Sequence, residues 1–284
     1  MTAQPTTLPP DLSESVARAL AEDIGNGDLT AELVAEDTMA TAELMLRTDA
    51  VLSGQDWANA VFQELDSRVQ LTWHYSDGDA IMAPQTVCSM TGPARAILTG
   101  ERTALNFLQT LSATATVTRD YVTAIAGTSA RILDTRKTVP GLRLAQKYAV
   151  RCGGGENHRL GLYDAVLIKE NHIAAAGSIE AAARSAREQA AGAATEIEVE
   201  TLEQLREALS ADIDRIMLDN FSLESLREVV LLRDAQEGDR KELEASGGID
   251  LLAIRVLAET GVDYISVGAL TKNVAAADFS LRIL

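Results

Sequence analysis

Residues 196–222 read EIEVETLEQLREALSADIDRIMLDNFS, and they set the pattern for about half of the chain. EIEVE alternates acids with β-branched residues, as a short strand does. Thr201 followed three places later by Gln204 is a capping box, which opens a helix. RIMLD is a second strand ending on Asp219, and Ser222 is placed to cap the next helix. The same unit recurs on both sides. RILD (131–134) precedes a helix near 142–152, and AVLIK (165–169) precedes one from about Ile179. LEASGG (243–248) precedes one from about Asp250 to Thr260, and DYISVGAL (263–270) closes the series. This alternation predicts parallel strands joined by right-handed crossovers. An open doubly wound sheet fits the pattern too. A barrel is preferred because polar residues fall at the C-terminal end of nearly every strand, although the six legible strands do not support a full eight.

Upstream the regular beat is absent. A helix is expected over Leu12–Asp23 with Ser13 as its N-cap, because Val16, Leu20 and Ile24 recur at helical spacing. The following EDIGNGDLT begins like a dinucleotide-binding glycine motif, but it follows a helix and has Thr30 in place of the third glycine, so that motif is rejected. Between Thr41 and Met90, short strands (AELMLR, AVLSG, VQLTWHY, TVCSMTG) mix with a helix around Asp56–Leu65, which predicts an α/β sandwich. Trp57 and His74 in this region read as packing residues. A long helical run starts after Pro93. Gly100 interrupts its apolar face and marks either a break or a close approach, since glycine inside a helix costs about 1 kcal/mol relative to alanine.

Composition sets the outer limits. The 284 residues can bury a sizeable core, and the formal net charge of −17 argues against a nucleic-acid or anionic-membrane surface. Cys88 and Cys152 lack metal-ligand spacing. The first residues have neither a basic region nor an apolar run, and no segment has the length of a membrane span, so a cytoplasmic protein is expected.

Against this acidity, the stretch from Asp134 to Asn171 stands out. From Arg136 to Lys169 it carries seven basic residues (Arg136, Lys137, Arg143, Lys147, Arg151, Arg159, Lys169) and two acids. A local positive field beside strand ends is suited to a small polyanion. Collected by strand end, the candidates are Thr135, Arg136 and Lys137; Lys169; Glu198 with Glu200; Asp219; Ser246, Gly247 and Gly248; and Val267, Gly268 and Ala269. His158 and Arg159 stand on a loop just before their strand. The glycine turns are suited to binding phosphate through backbone N–H groups, and Glu198 and Asp219 to hydroxyls or a hard cation such as Mg²⁺. Taken singly these signals have plainer readings. Glu198 and Glu200 are also what a solvent-facing edge strand would show, and Lys169 what a structural ion pair would use.

At these residues the chain resembles the type II phosphoribosyltransferases, and within them the quinolinate phosphoribosyltransferase family. The segments that carry the resemblance are GERTALNFLQTLSATAT, ILDTRKTVPGLRLAQKYAV, GGGENHRLGLYDAVLIKENH, EIEVE, IMLDN, EASGGI and DYISVGALT. It implies an N-terminal α/β sandwich (1–112, joined by 271–284) and an irregular, open α/β barrel of fewer than eight strands (113–270). It also implies a homodimer in which Arg102 enters the partner's site. Arg136, Lys137, His158, Arg159 and Lys169 would bind the carboxylates of quinolinate and the pyrophosphate of phosphoribosyl pyrophosphate. Glu198 and Asp219 would meet the ribose and Mg²⁺, and Ser246–Gly248 with Val267–Ala269 would hold the 5′-phosphate, with Lys137, Glu198 and Asp219 carrying the chemistry. Three alternatives stay open: a sister transferase acting on another acceptor such as nicotinate, a Schiff-base lyase using Lys137 or Lys169, and a non-catalytic phosphometabolite-binding protein.

Overall fold

The structure, a computed structural model, describes residues 7–236, 238 and 240–284. In chain order its elements are α1 (Leu12–Ile24), β1 (Met39–Leu46), β2 (Ala50–Val51), α2 (Gln55–Leu65), β3 (Gln70–Trp73), β4 (Ala80–Ile81), β5 (Gln85–Pro93) and α3 (Ala94–Ala124). The strand-helix series follows as β6 (Arg131–Leu133), α4 (Arg143–Cys152), β7 (Ala165–Ile168), α5 (Glu170–Ala176), α6 (Ile179–Gln189), β8 (Ala194–Val199), α7 (Leu202–Ser210), β9 (Arg215–Asp219), α8 (Leu223–Asp234), β10 (Glu242–Ser246), α9 (Ile254–Ala258) and β11 (Tyr264–Ser266). It ends with α10 (Ala269–Lys272) and β12 (Phe279–Ile283). The chain divides into two compact units. One contains the described residues up to Arg119 with Thr138–Gly154 and Leu270–Leu284; the other contains Asp120–Lys137 and Gly155–Ala269. Helix α3 runs through 112/113, and α4 groups with the first unit.

In the first unit an antiparallel sheet of order β12-β1-β5-β3 packs against helices. Strand β1 shows why it forms: Ala42, Leu44 and Leu46 alternate inward and are fully buried, while the residues between them are not. They join a core with Trp57, Val61 and Phe62 of α2 and Ile97, Leu105, Leu108 and Leu111 of α3. Trp57 is fully buried and its indole N–H donates to Ser15 Oγ at 3.3 Å, as befits a packing residue. His74 is not one. It is exposed and meets only Ser89 Oγ through its Nε2, at 2.9 Å, among the described residues. Ser13 does not cap α1 either, since Asp11 occupies the N-cap position.

Helix α3 is unbroken at Gly100. A Cβ there would lie 2.7 Å from Phe62 Cε1 and 2.9 Å from Leu65 Cδ1, so the glycine serves a close approach of α3 to α2. Gly100→Ala is therefore expected to destabilise the protein by about 1–3 kcal/mol, the usual cost of overpacking a core. Thermal unfolding checks this, and an unchanged melting temperature would contradict it.

The second unit is a parallel sheet of six strands, in the order β6-β11-β10-β9-β8-β7, every neighbouring pair parallel. It curls as an irregular barrel that stays open between β6 and β7. Beside β6 the segment at Glu156 makes a single parallel bridge with Leu133. Helices α6, α7 and α8 are capped by Ser178, Thr201 and Ser222, whose hydroxyls accept N–H bonds at 3.1, 3.2 and 3.1 Å. The partner in the Thr201 box is shifted by one residue: Gln204 accepts from the N–H of Glu200 at 2.8 Å.

Candidate active site

Strand parity builds the site. Ile168, Ile197, Val199, Ile216, Leu218, Leu243, Ala245 and Ile265 are buried at alternating positions, which gives each strand an apolar face for the helices. The other parity of the same strands carries Lys169, Glu196, Glu198, Glu200, Arg215, Asp219, Glu242, Glu244, Ser246 and Ser266. Most of these converge on a cleft of about 340 Å³ lined by Thr135, Arg136, Lys137, His158, Arg159, Leu167, Lys169, Glu198, Met217, Asp219, Glu244, Ser246 and Ser266. The cleft opens at the C-terminal ends of the strands, where parallel α/β barrels place their chemistry.

One side is cationic. The Nε and Nη1 atoms of Arg136 are buried and have no hydrogen-bond partner among the described residues. An arginine left this way asks for an anion, since an unpaired buried charge is costly. Arg159 lies close by: burial, and next the charge of Arg136, hold its pKa below the ordinary arginine value. Two guanidinium groups that repel each other across a cleft suit a ligand with two negative charges. Lys137 sits against the turn after β11, where a Cβ added to Gly268 would lie 3.1 Å from Lys137 Cδ. Thr135 Oγ1 accepts the Lys137 N–H at 3.1 Å and shapes this loop. Gly247, after β10, has φ +109, and a Cβ there would collide with the Asn220 side chain, so the turn requires glycine at this position.

The opposite side is acidic. Glu198, Glu200 and Asp219 offer carboxylate oxygens that all lie within 4.8 Å of one another. An all-oxygen set of this kind fits a hard divalent cation. Lys169, placed at the N-cap of α5, forms an ion pair with Glu198. Strand β8 lies between β7 and β9, which disposes of the edge-strand reading of Glu198 and Glu200.

Beneath the cleft is a buried polar floor. His158 Nε2 lies 2.7 Å from Glu196 Oε2 and 3.6 Å from Glu244 Oε2, while Arg215 reaches Glu244 at 3.2 Å and Glu242 at 3.0 Å. Tyr264 is stacked between Arg215 and Arg131, whose guanidinium carbons lie 3.9 and 4.2 Å from the ring centre. Burial pushes Glu196 up to about 7, partly offset by Arg215. Burial and then the charge of Glu196 push Glu244 up to about 8. Both start from an ordinary value of 4.5, so between that pH and about 8 the folded chain binds more protons than the unfolded chain. Stability therefore falls as pH rises through this window, by about 1.4 kcal/mol per pH unit for each whole proton of difference. Glu244→Gln removes one of these groups. Its melting temperature relative to the parent is expected to improve from pH 5.5 to pH 8.5, and a difference independent of pH would contradict the assignment.

The basic stretch read from the sequence thus splits. Arg136, Lys137, Arg159 and Lys169 line the cleft, whereas Arg143, Lys147 and Arg151 belong to α4 in the first unit. Gly247, Gly248, Val267, Gly268 and Ala269 flank the lining residues without being among them, and Arg102 stands at an exposed position of α3. Sequence reasoning missed Glu196 and Glu244. The available signal was parity, because Glu196 precedes Glu198 by two residues and Glu244 precedes Ser246 by two on the same strand faces.

A sheet of this order with cations, carboxylates and glycine turns at one mouth defines an α/β-barrel protein built to hold phosphorylated or carboxylated anions. The comparisons are more specific. Residues 28–112 match the quinolinate phosphoribosyl transferase N-terminal domain and residues 114–282 its C-terminal domain. A Bacillus subtilis protein described as a probable nicotinate-nucleotide pyrophosphorylase [carboxylating] is 45% identical over 264 residues, covering 92% of this chain and 90% of its own. The Mycobacterium leprae nicotinate-nucleotide pyrophosphorylase [carboxylating] is 42% identical over 274 residues, covering 95% and 96%. Among solved structures, the nicotinate-nucleotide pyrophosphorylase from Francisella tularensis superposes with a TM-score of 0.94 at 48% identity over the whole of both chains. The chain belongs to the quinolinate phosphoribosyltransferase family.

Proposed function

We propose that this protein transfers phosphoribose from phosphoribosyl pyrophosphate to quinolinate, giving nicotinate mononucleotide, pyrophosphate and CO₂ in de novo NAD biosynthesis. The observation that supports this reading best is Arg136, two of whose buried nitrogens have no hydrogen-bond partner among the described residues, beside Arg159 in a cleft whose other wall is acidic. Quinolinate carries two adjacent carboxylates, which such a pair fits bidentately, with Lys169 as a third cation. Lys137, beside the Gly268 turn, takes the pyrophosphate, and the Ser246–Gly248 and Val267–Ala269 turns take the 5′-phosphate. Glu198 and Asp219 face the ribose hydroxyls.

Glu198, Asp219 and the rim residue Glu200 are the groups that would hold Mg²⁺, and the ion, when bound, neutralises charge on the departing pyrophosphate. The residues of the chain hold the pyridine nitrogen in line with the anomeric carbon, overcoming the mutual repulsion of two anionic substrates. As the pyrophosphate leaves, positive charge grows on the sugar, and Glu198 and Asp219 are placed to stabilise it. Lys137 meets the opposite, negative charge growing on the leaving group. Once alkylated, the pyridinium ring is itself an electron sink, so the carboxylate next to its nitrogen departs as CO₂ with little help from a protein acid, and the electron pair left on the ring carbon takes a proton from water.

The active assembly is a homodimer, with Arg102 of one subunit completing the site of the other, and the compartment is the cytoplasm. Mixing Arg102→Ala and Arg136→Ala chains is then expected to restore activity through hybrid dimers, which carry one intact site. No rescue under verified subunit exchange would count against a shared site. Acceptor choice tests the function itself: pyrophosphate should form with quinolinate and not with nicotinate, and the reverse preference would assign the chain to a sister transferase.

A further inference from the structure

The loop that carries Arg159 has no regular secondary structure, yet Arg159 must meet a doubly charged ligand with fixed geometry. Arg159 also lines a second cavity, of about 310 Å³, at the N-terminal ends of the strands, where the charges of Glu196 and Asp164 act on it directly. Something must hold it toward the cleft. Asp134, fully buried at the end of β6, accepts the His158 N–H at 2.9 Å and the Asn157 side-chain amide at 2.6 Å. The next N–H, that of Arg159, donates to His158 Nδ1 at 2.8 Å. Nδ1 as an acceptor leaves the proton on Nε2, and Nε2 faces Glu196 Oε2 at 2.7 Å. Nδ1 is thus held by a hydrogen bond, and Nε2 by an ion-pair contact with Glu196 that is short but too poorly aligned to count as a hydrogen bond.

We propose that Glu196 is a positioning residue: through His158 it locks the backbone at Arg159 and aims that guanidinium into the cleft, so that His158 orients Arg159 and is not itself a carboxylate ligand. This rests on the quinolinate reading for its substrate, but the state of the ring does not. Partners that orient metal-ligating histidines are worth about 10–100-fold, and an effect of similar size is expected here. Glu196→Ala should raise the KM for quinolinate by about tenfold or more while kcat and the KM for phosphoribosyl pyrophosphate move less than about threefold, and Glu196→Gln, which still accepts from Nε2–H, should restore the parental KM. An unchanged quinolinate KM in Glu196→Ala, or equal rises in both KM values, would overturn the proposal.

Should the alanine variant fail to fold, the unmutated protein decides. With three histidines in the chain, ¹⁵N-histidine spectra can be assigned. His158 should be protonated at Nε2 and bare at Nδ1, and should stay so when quinolinate saturates the site. Protonation at Nδ1, or a switch of tautomer on adding quinolinate, would overturn it. If the unmutated protein turned over no quinolinate at all, that result would fall on the substrate assignment, whereas a ring protonated at Nδ1 would fall on Glu196 and His158 whatever the substrate.

Discussion

Arg136→Ala is expected to lower kcat/KM for quinolinate by about a thousandfold, most of it as a raised KM. The reasoning starts from the two guanidinium nitrogens that are buried without a partner. In the complex they gain charge-assisted hydrogen bonds worth about 1.5–3 kcal/mol each, and losing two of them corresponds to roughly 10²–10⁴ in kcat/KM. The same observation fixes the sign of the effect on stability. A half-buried guanidinium with two buried nitrogens that lack partners is a cost in the empty protein, so the alanine variant should melt at the parental temperature or above it. Reduced activity together with a large drop in melting temperature would mean that Arg136 supports the fold.

Lys137→Ala should act on the other parameter. Its Nζ faces charge that grows only as the pyrophosphate leaves, so kcat should fall by about 10²–10³ while the KM for quinolinate stays within about threefold. Arginine should not rescue it. The lysine stem lies along the Gly268 turn, and a planar, forked guanidinium does not place its charge where the compact ammonium does. Steady-state kinetics of Lys137→Ala and Lys137→Arg check this, and an effect confined to KM would move Lys137 from the leaving group to ground-state binding.

Much of the barrel and its mouth is legible in the amino-acid sequence alone. The strands are, because each joins an apolar parity, which the helices cover, to a polar parity that ends at the mouth. RIMLD shows both, with Ile216 and Leu218 buried and Asp219 on the rim of the cleft. What a linear window cannot show is which way a helix carries its charges. Arg143, Lys147 and Arg151 count toward a basic cluster in sequence, but α4 takes them into the other unit, where Lys147 is 1% exposed. Gly100 is legible as an anomaly and not as a cause, since its reason is a ring on α2 some forty residues earlier. The floor escapes for a related reason. Glu196 and Glu244 look like ordinary strand acids until their partners, His158 and Arg215, arrive from other elements. The short α5 has no periodicity to announce it, and its start is organised by Lys169 donating its N–H to His172 Nδ1 at 2.9 Å.

Release of labelled CO₂ from quinolinate carrying the label in the carboxylate next to the ring nitrogen bears most directly on the reaction. It should require phosphoribosyl pyrophosphate, match pyrophosphate mole for mole and stop when divalent cations are chelated. Pyrophosphate formed from another acceptor, with no CO₂ released from quinolinate, would keep the phosphoribose half of the site and contradict the assignment of quinolinate as its partner.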